Sequence, residues 1–188
     1  MELNPYKTPA EIACTPQLEV LAPNTAPETL EHRMQPEFTR QGFACESQVG
    51  IGPYTATLRC TKRGFLYTDR FYVYRLSSNV EATLRVLLDI HEASRFDAER
   101  FHSRWVRLRI PNTATVVLHE APLSKDAANA ICARELPNQV DRPHAMFTVG
   151  LTGGDIHYFN PTGLLKSVNL QRSTCTFRSI ITKCNNAT

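Results

Sequence analysis

The segment His144–Gly163 reads HAMFTVGLTGGDIHYFNPTG, and it commits the chain to a β-hairpin. Its first strand runs from His144 to Leu151. Thr152-Gly153-Gly154-Asp155 supplies a turn whose glycines can take positive φ, and Ile156–Asn160 returns as the second strand. A histidine opens the first strand and an Asn-Pro pair closes the second. Pro161–Gly163 then breaks the run ahead of a final strand expected about Thr174–Thr182.

The middle of the chain alternates strands with helices. In Tyr54–Thr61, Tyr54, Ala56, Leu58 and Cys60 alternate with polar residues, the pattern of a strand with one buried face. Lys62-Arg63-Gly64 makes a turn into Phe65–Leu76, whose aromatic residues fall on both faces and predict a central strand. Ser78 with Glu81 forms a capping box, and Val80, Leu84, Leu87, Leu88 and His91 follow as one helical stripe. Ser94 and Asp97 predict a break before a short helix bearing Phe101 and Trp105. Trp105–Ile110 and Thr115–His119 read as two strands turned at Pro111-Asn112, and Ser124 caps a helix to Leu136. The expected fold is α+β: a mainly antiparallel sheet with two to three helices packed on one face.

Residues 1–36 hold six of the twelve prolines and show no sustained periodicity. Proline removes backbone donors and biases its predecessor toward extended geometry. The expectation is a Pro-rich acidic arm over 1–36, extended or disordered, before a single domain over 37–188. Charge divides the same way. Residues 1–38 carry six glutamates against Lys7 and Arg33, while the chain as a whole is +3, so an acidic arm lying across a basic body accounts for the split. No apolar run approaches the roughly 18 to 20 residues of a spanning helix, and MELNPYKTPAE lacks the basic head and apolar middle of a signal peptide. The expectation is a soluble, cytoplasmic protein with no membrane insertion. Its six scattered cysteines then read as reduced thiols, with Cys175 and Cys184 the nearest pair.

Three constellations bear on chemistry. His144 and Asn160 sit on neighbouring strands of one rigid hairpin. This arrangement resembles the histidine–asparagine/aspartate half of papain-like cysteine hydrolases, and the resemblance implies His144 as base and Asn160 as its orienter. The other half is not visible: Cys14 lies in the arm, Cys45 and Cys60 in or beside strands, and Cys132 on the apolar face of a helix. Without a nucleophile, the pair reads rather as a strand-end histidine beside a turn asparagine. His91-Glu92 and His119-Glu120 each begin a zincin motif, but Arg95 and Leu123 stand where the second histidine belongs. No metal or other cofactor is therefore expected, and Gly150–Gly154 lacks the lysine and hydroxyl of a phosphate loop.

The third constellation is a face formed by Trp105, Arg107 and Arg109, with Lys62 and Arg63 in an earlier turn. Cations beside aromatics suit single-stranded nucleic acid, but the interleaved Glu92, Asp97 and Glu99 count against that partner. The reading that follows is a non-catalytic binding or interaction module, with another protein as its partner. A papain-like hydrolase or its degenerate remnant, and a weak nucleic-acid-binding domain, are the alternatives.

Overall fold

A computed structural model describes residues 19–20, 29–65, 67–100, 110–132, 144–158 and 168–186. From the N-terminal side come β1 (Glu19–Val20), α1 (Leu30–Arg40) and a meander of β2 (Ala44–Ile51), β3 (Tyr54–Arg63) and β4 (Tyr67–Arg75). Then follow α2 (Leu84–Arg100), β5 (Ile110–His119), α3 (Lys125–Cys132), β6 (His144–Gly150), β7 (Asp155–Tyr158) and α4 (Val168–Asn186). The strands form one sheet in the order β1-β7-β6-β5-β4-β3-β2. The β4–β5 and β5–β6 pairings are parallel and the other four antiparallel, so the α+β class stands and the sheet is mixed.

The helices cover both faces of the sheet rather than one. Helices α1 and α4 pack on Leu58, Cys60, Phe71, Val73, Val116 and Phe147. Helices α2 and α3 pack on the side chains between them, among which are Tyr72, Tyr74, Val117 and Met146. Parallel neighbours need long crossovers, and α2 and α3 are those crossovers. Strand β6 is buried at all seven positions, so its second face needs a helical layer of its own.

Three local expectations are corrected by packing. The segment Thr174–Thr182 is helical, inside α4, although its threonines and isoleucines favour a strand. Its buried residues Ser173, Thr174, Phe177, Ile180, Ile181 and Cys184 recur every three or four positions, which is one helix face, and Phe177 stacks on Phe147 at 4.2 Å. Pro111-Asn112 is not a turn but part of one continuous β5. There Asn112 Nδ2 donates to Asp69 Oδ1 at 2.9 Å, the Ser173 hydroxyl donates to Asn112 Oδ1 at 3.1 Å, and Arg172 pairs with Asp69 at 2.8 Å. The polar residues thus tie β4, β5 and α4 together instead of bending the chain. Ser94 and Asp97 likewise do not break α2. Ser94 donates to the Ile90 carbonyl and meets the Tyr74 hydroxyl, and Asp97 accepts from Tyr72.

Helix α1 spans the 36/37 boundary suggested by proline density, with Pro36 inside it. Leu30, Met34 and Phe38 share one buried face and anchor the helix despite the missing proline N–H. Strand β2 forms an edge with no clear alternation. Midway along it Gln48 takes φ 54°, and the register skips that residue between Ser47↔Leu58 and Val49↔Ala56. Among the described residues, no helix is long and apolar enough to cross a membrane.

Phe177→Ala is expected to cost about 3 to 5 kcal/mol, because it empties a stacked core position. Phe65→Ala, at a site 90% exposed, is expected to cost under about 0.5 kcal/mol. Urea denaturation of both variants measures the difference, and equal midpoints would contradict the packing of α4.

Candidate functional site

Strand alternation builds the site. On β2, β3 and β4, Cys45, Cys60 and Phe71 turn toward the α1 side, and their neighbours turn the other way. The register places Ala44 beside Thr61 and Thr61 beside Arg70; one step along, Glu46, Arg59 and Tyr72 are aligned. With Gly42, six residues line a groove of about 450 Å³: Ala44, Glu46, Arg59, Thr61, Arg63 and Arg70. That volume is typical of small-ligand sites.

Among the described lining residues are three guanidinium groups and a single carboxylate. Arg59 donates to Glu46 at 2.8 Å and to Asp97 of α2 at 3.2 Å. Burial pulls its pKa down, but the two carboxylates outweigh burial and the net shift is upward. Arg70 is buried and donates to the Ala98 carbonyl of α2 at 2.6 Å. Its pKa is lowered, first by burial and further by Arg59 and Arg63, against the opposing pull of Tyr72 and Asp97. Arg63 is exposed and has no ion pair with another described residue. Like charges gathered in a partly buried setting repel one another, and an anion in the groove relieves that repulsion.

The residues singled out from the sequence fall elsewhere. Asn160, Trp105, Arg107 and Arg109 lie outside the described residues. His144 opens β6 opposite Thr113 and is buried on the α2 side, where its ring meets His91 edge-on at 5.7 Å. None of the four thiols with described side chains shares that face. Cys45 and Cys60 pack in the α1–α4 core, and Cys175 and Cys184 belong to α4. His144 thus faces a second histidine. His91 Nδ1 lies 3.0 Å from the Thr115 hydroxyl, and its Nε2 has no hydrogen-bond partner among the described residues. Burial, then the proximity of His144 and Arg95, lowers the His91 pKa to about 3, so this ring is neutral at physiological pH.

The end of β5 carries another oriented imidazole. His119 Nδ1 lies 2.7 Å from the Ala121 carbonyl, a contact that calls for the proton on Nδ1. Burial lowers its pKa, with Ala121 and Asp155 opposing. Among the described residues, no group of three or more His, Cys, Asp or Glu is placed to hold a metal.

Sequence reading misses the groove because Glu46 and Arg70 come from the strands on either side of the one that carries Arg59 and Arg63. One signal is present: Arg59, Thr61 and Arg63 alternate with buried Leu58 and Cys60 on a single strand. Comparison with known protein families, with curated proteins and with solved structures finds no match for this chain. The groove's chemistry therefore carries the functional reading.

His91 gives the fold a defined acid sensitivity. Its folded pKa of about 3 lies below the ordinary value near 6.5, so its contribution to stability is complete above that value and is lost as pH falls toward 3. Between pH 7 and pH 5 this loss is about 2 kcal/mol. Urea unfolding is expected to show that drop in the native chain and a shallower one in His91→Leu; parallel pH profiles would exclude a buried neutral His91.

Proposed function

We propose that this chain is a non-catalytic binding module whose arginine groove holds an anionic, phosphate-bearing ligand. The observation that carries the reading is the excess of guanidinium groups around one cavity: Arg59, Arg63 and Arg70 against Glu46. A guanidinium presents a planar fork that matches two oxygens of a phosphate, and charge-assisted bonds of this kind are the strong ones. Each arginine has a separate part. Arg59 is held rigid by Glu46 and Asp97. Arg70 is fixed by the Ala98 carbonyl. Arg63, at the rim, is the cation with no described partner to give up when a ligand arrives.

The lining supports binding rather than turnover. Its described residues include no thiol and no histidine, and the carboxylate among them, on Glu46, is paired with Arg59. Thr61 contributes a hydroxyl able to donate to a phosphate oxygen. Among the described lining residues no general base stands beside that hydroxyl to raise its nucleophilicity.

Calorimetric titration with inorganic phosphate and pyrophosphate tests the reading. Binding is expected at low ionic strength, weakening as salt screens the rim. Arg63→Ala is expected to lower affinity about tenfold, the equivalent of one charge-assisted hydrogen bond. Arg85→Ala, an exposed position at the start of α2, is the control and should leave affinity unchanged. Absence of binding by either anion, or equal affinity in Arg63→Ala and the native chain, would overturn it.

A further inference from the structure

Cys45 and Cys60 stand directly opposite one another on the antiparallel strands β2 and β3. Both are free thiols, and they differ in exposure: Cys45 is half-buried at the sheet edge, while Cys60 is fully buried. Opposed side chains on such strands have Cβ atoms about 4.5 to 5.5 Å apart, and a disulfide requires about 3.8 Å. A small approach of the edge strand closes that gap. Among the described residues β2 pairs with no strand but β3, so no second strand resists the movement.

We propose that Cys45 and Cys60 form a redox-active dithiol that a hydroperoxide oxidises to a cross-strand disulfide. The two sulfurs have unequal parts. A hydrogen bond from Cys60 stabilises the Cys45 thiolate more than burial disfavours it, whereas the same bond and deep burial hold Cys60 protonated. A half-buried thiol whose ionisation is favoured, beside a buried thiol held protonated, is the arrangement of an attacking and a resolving cysteine.

In the first step the Cys45 thiolate attacks the peroxide. An S–O bond forms, the O–O bond breaks, and the departing alkoxide takes a proton to leave as the alcohol. Cys60 then attacks the sulfenic sulfur of Cys45. The S–S bond forms, the S–O bond breaks, and the hydroxyl leaves as water with the Cys60 proton. Two thiols lose two electrons, and one hydroperoxide becomes one alcohol and one water (with hydrogen peroxide, two waters). The other two described thiols are unsuited to this pairing. Cys175 is exposed on α4, and burial raises Cys184 to about 11.

The test is peroxide treatment of the folded full chain, followed by alkylation under denaturing conditions and tryptic mass mapping. Cleavage after Arg59 separates the two cysteines onto residues 41–59 and 60–62, so the disulfide appears as a linked pair of peptides lighter by two hydrogens. That species is expected to form about tenfold faster than any oxidation of Cys184, as the difference in thiolate character requires. Cys60→Ser is expected to stop the reaction at a Cys45 sulfenic acid that dimedone traps, and Cys45→Ser to leave Cys60 reduced. Circular dichroism confirms that each variant is folded before it is scored. Absence of the linked peptide in the native chain, or Cys45 oxidising no faster than Cys184, would overturn the proposal.

Discussion

The double burial of β4 is the constraint on which the rest of the molecule depends. Six consecutive residues of that strand are buried, and its two sets of side chains face chemically different layers. Phe71 and Val73 join the aromatic and aliphatic core beneath α1 and α4, with Phe71 close to both Phe38 and Phe43. Arg70, Tyr72 and Tyr74 face α2, and each is satisfied by a polar group of that helix: the Ala98 carbonyl, Asp97 and Ser94. Burying three polar side chains on a central strand is unfavourable unless they are bonded. These bonds therefore fix the position of α2 over the sheet, and through Asp97 and the Ala98 carbonyl they hold two of the groove's arginines, Arg59 and Arg70.

A consequence is that fold and site share residues. Asp97 holds Tyr72 and Arg59 at once, so the contact that seats α2 also rigidifies a groove arginine. The sheet carries a second coupling through its thickness. Cys45↔Cys60 and Glu46↔Arg59 are successive cross-strand pairs, and successive pairs lie on opposite faces. The dithiol and the groove's ion pair are thus back to back on the same two strands.

Much of this fold is legible in the amino-acid sequence. The hairpin of β6 and β7, the alternation in β3, the two-sided aromatics of β4 and the stripe of Leu84, Leu87, Leu88 and His91 in α2 follow from periodicity and turn residues. Ser78, Val80 and Glu81, by contrast, lie ahead of that helix, and Thr83 accepts from the Val86 N–H at its start. Sequence patterns mislead where a polar residue has its partner far along the chain. Asn112 reads as a turn residue until Asp69 and Ser173 stand beside it. Ser94 and Asp97 read as helix breakers until Tyr74 and Tyr72 do. The α4 segment misleads differently: its threonines and isoleucines carry β-propensity, and only the three-and-four spacing of its buried positions marks a helix. The arginine groove stays hidden because periodicity describes one strand at a time, whereas a groove is a property of register.

Gln48 sets a limit on how this sheet can grow. Its left-handed backbone divides β2 into a run of four paired residues, Ala44–Ser47, and a run of three, Val49–Ile51. An incoming strand needs an unbroken row of backbone donors and acceptors, and a reversed residue midway removes it. The kink therefore blunts the exposed margin of the sheet as a template for stacking against another chain. A border interrupted in this way lets the molecule crowd against its own copies without zipping onto them.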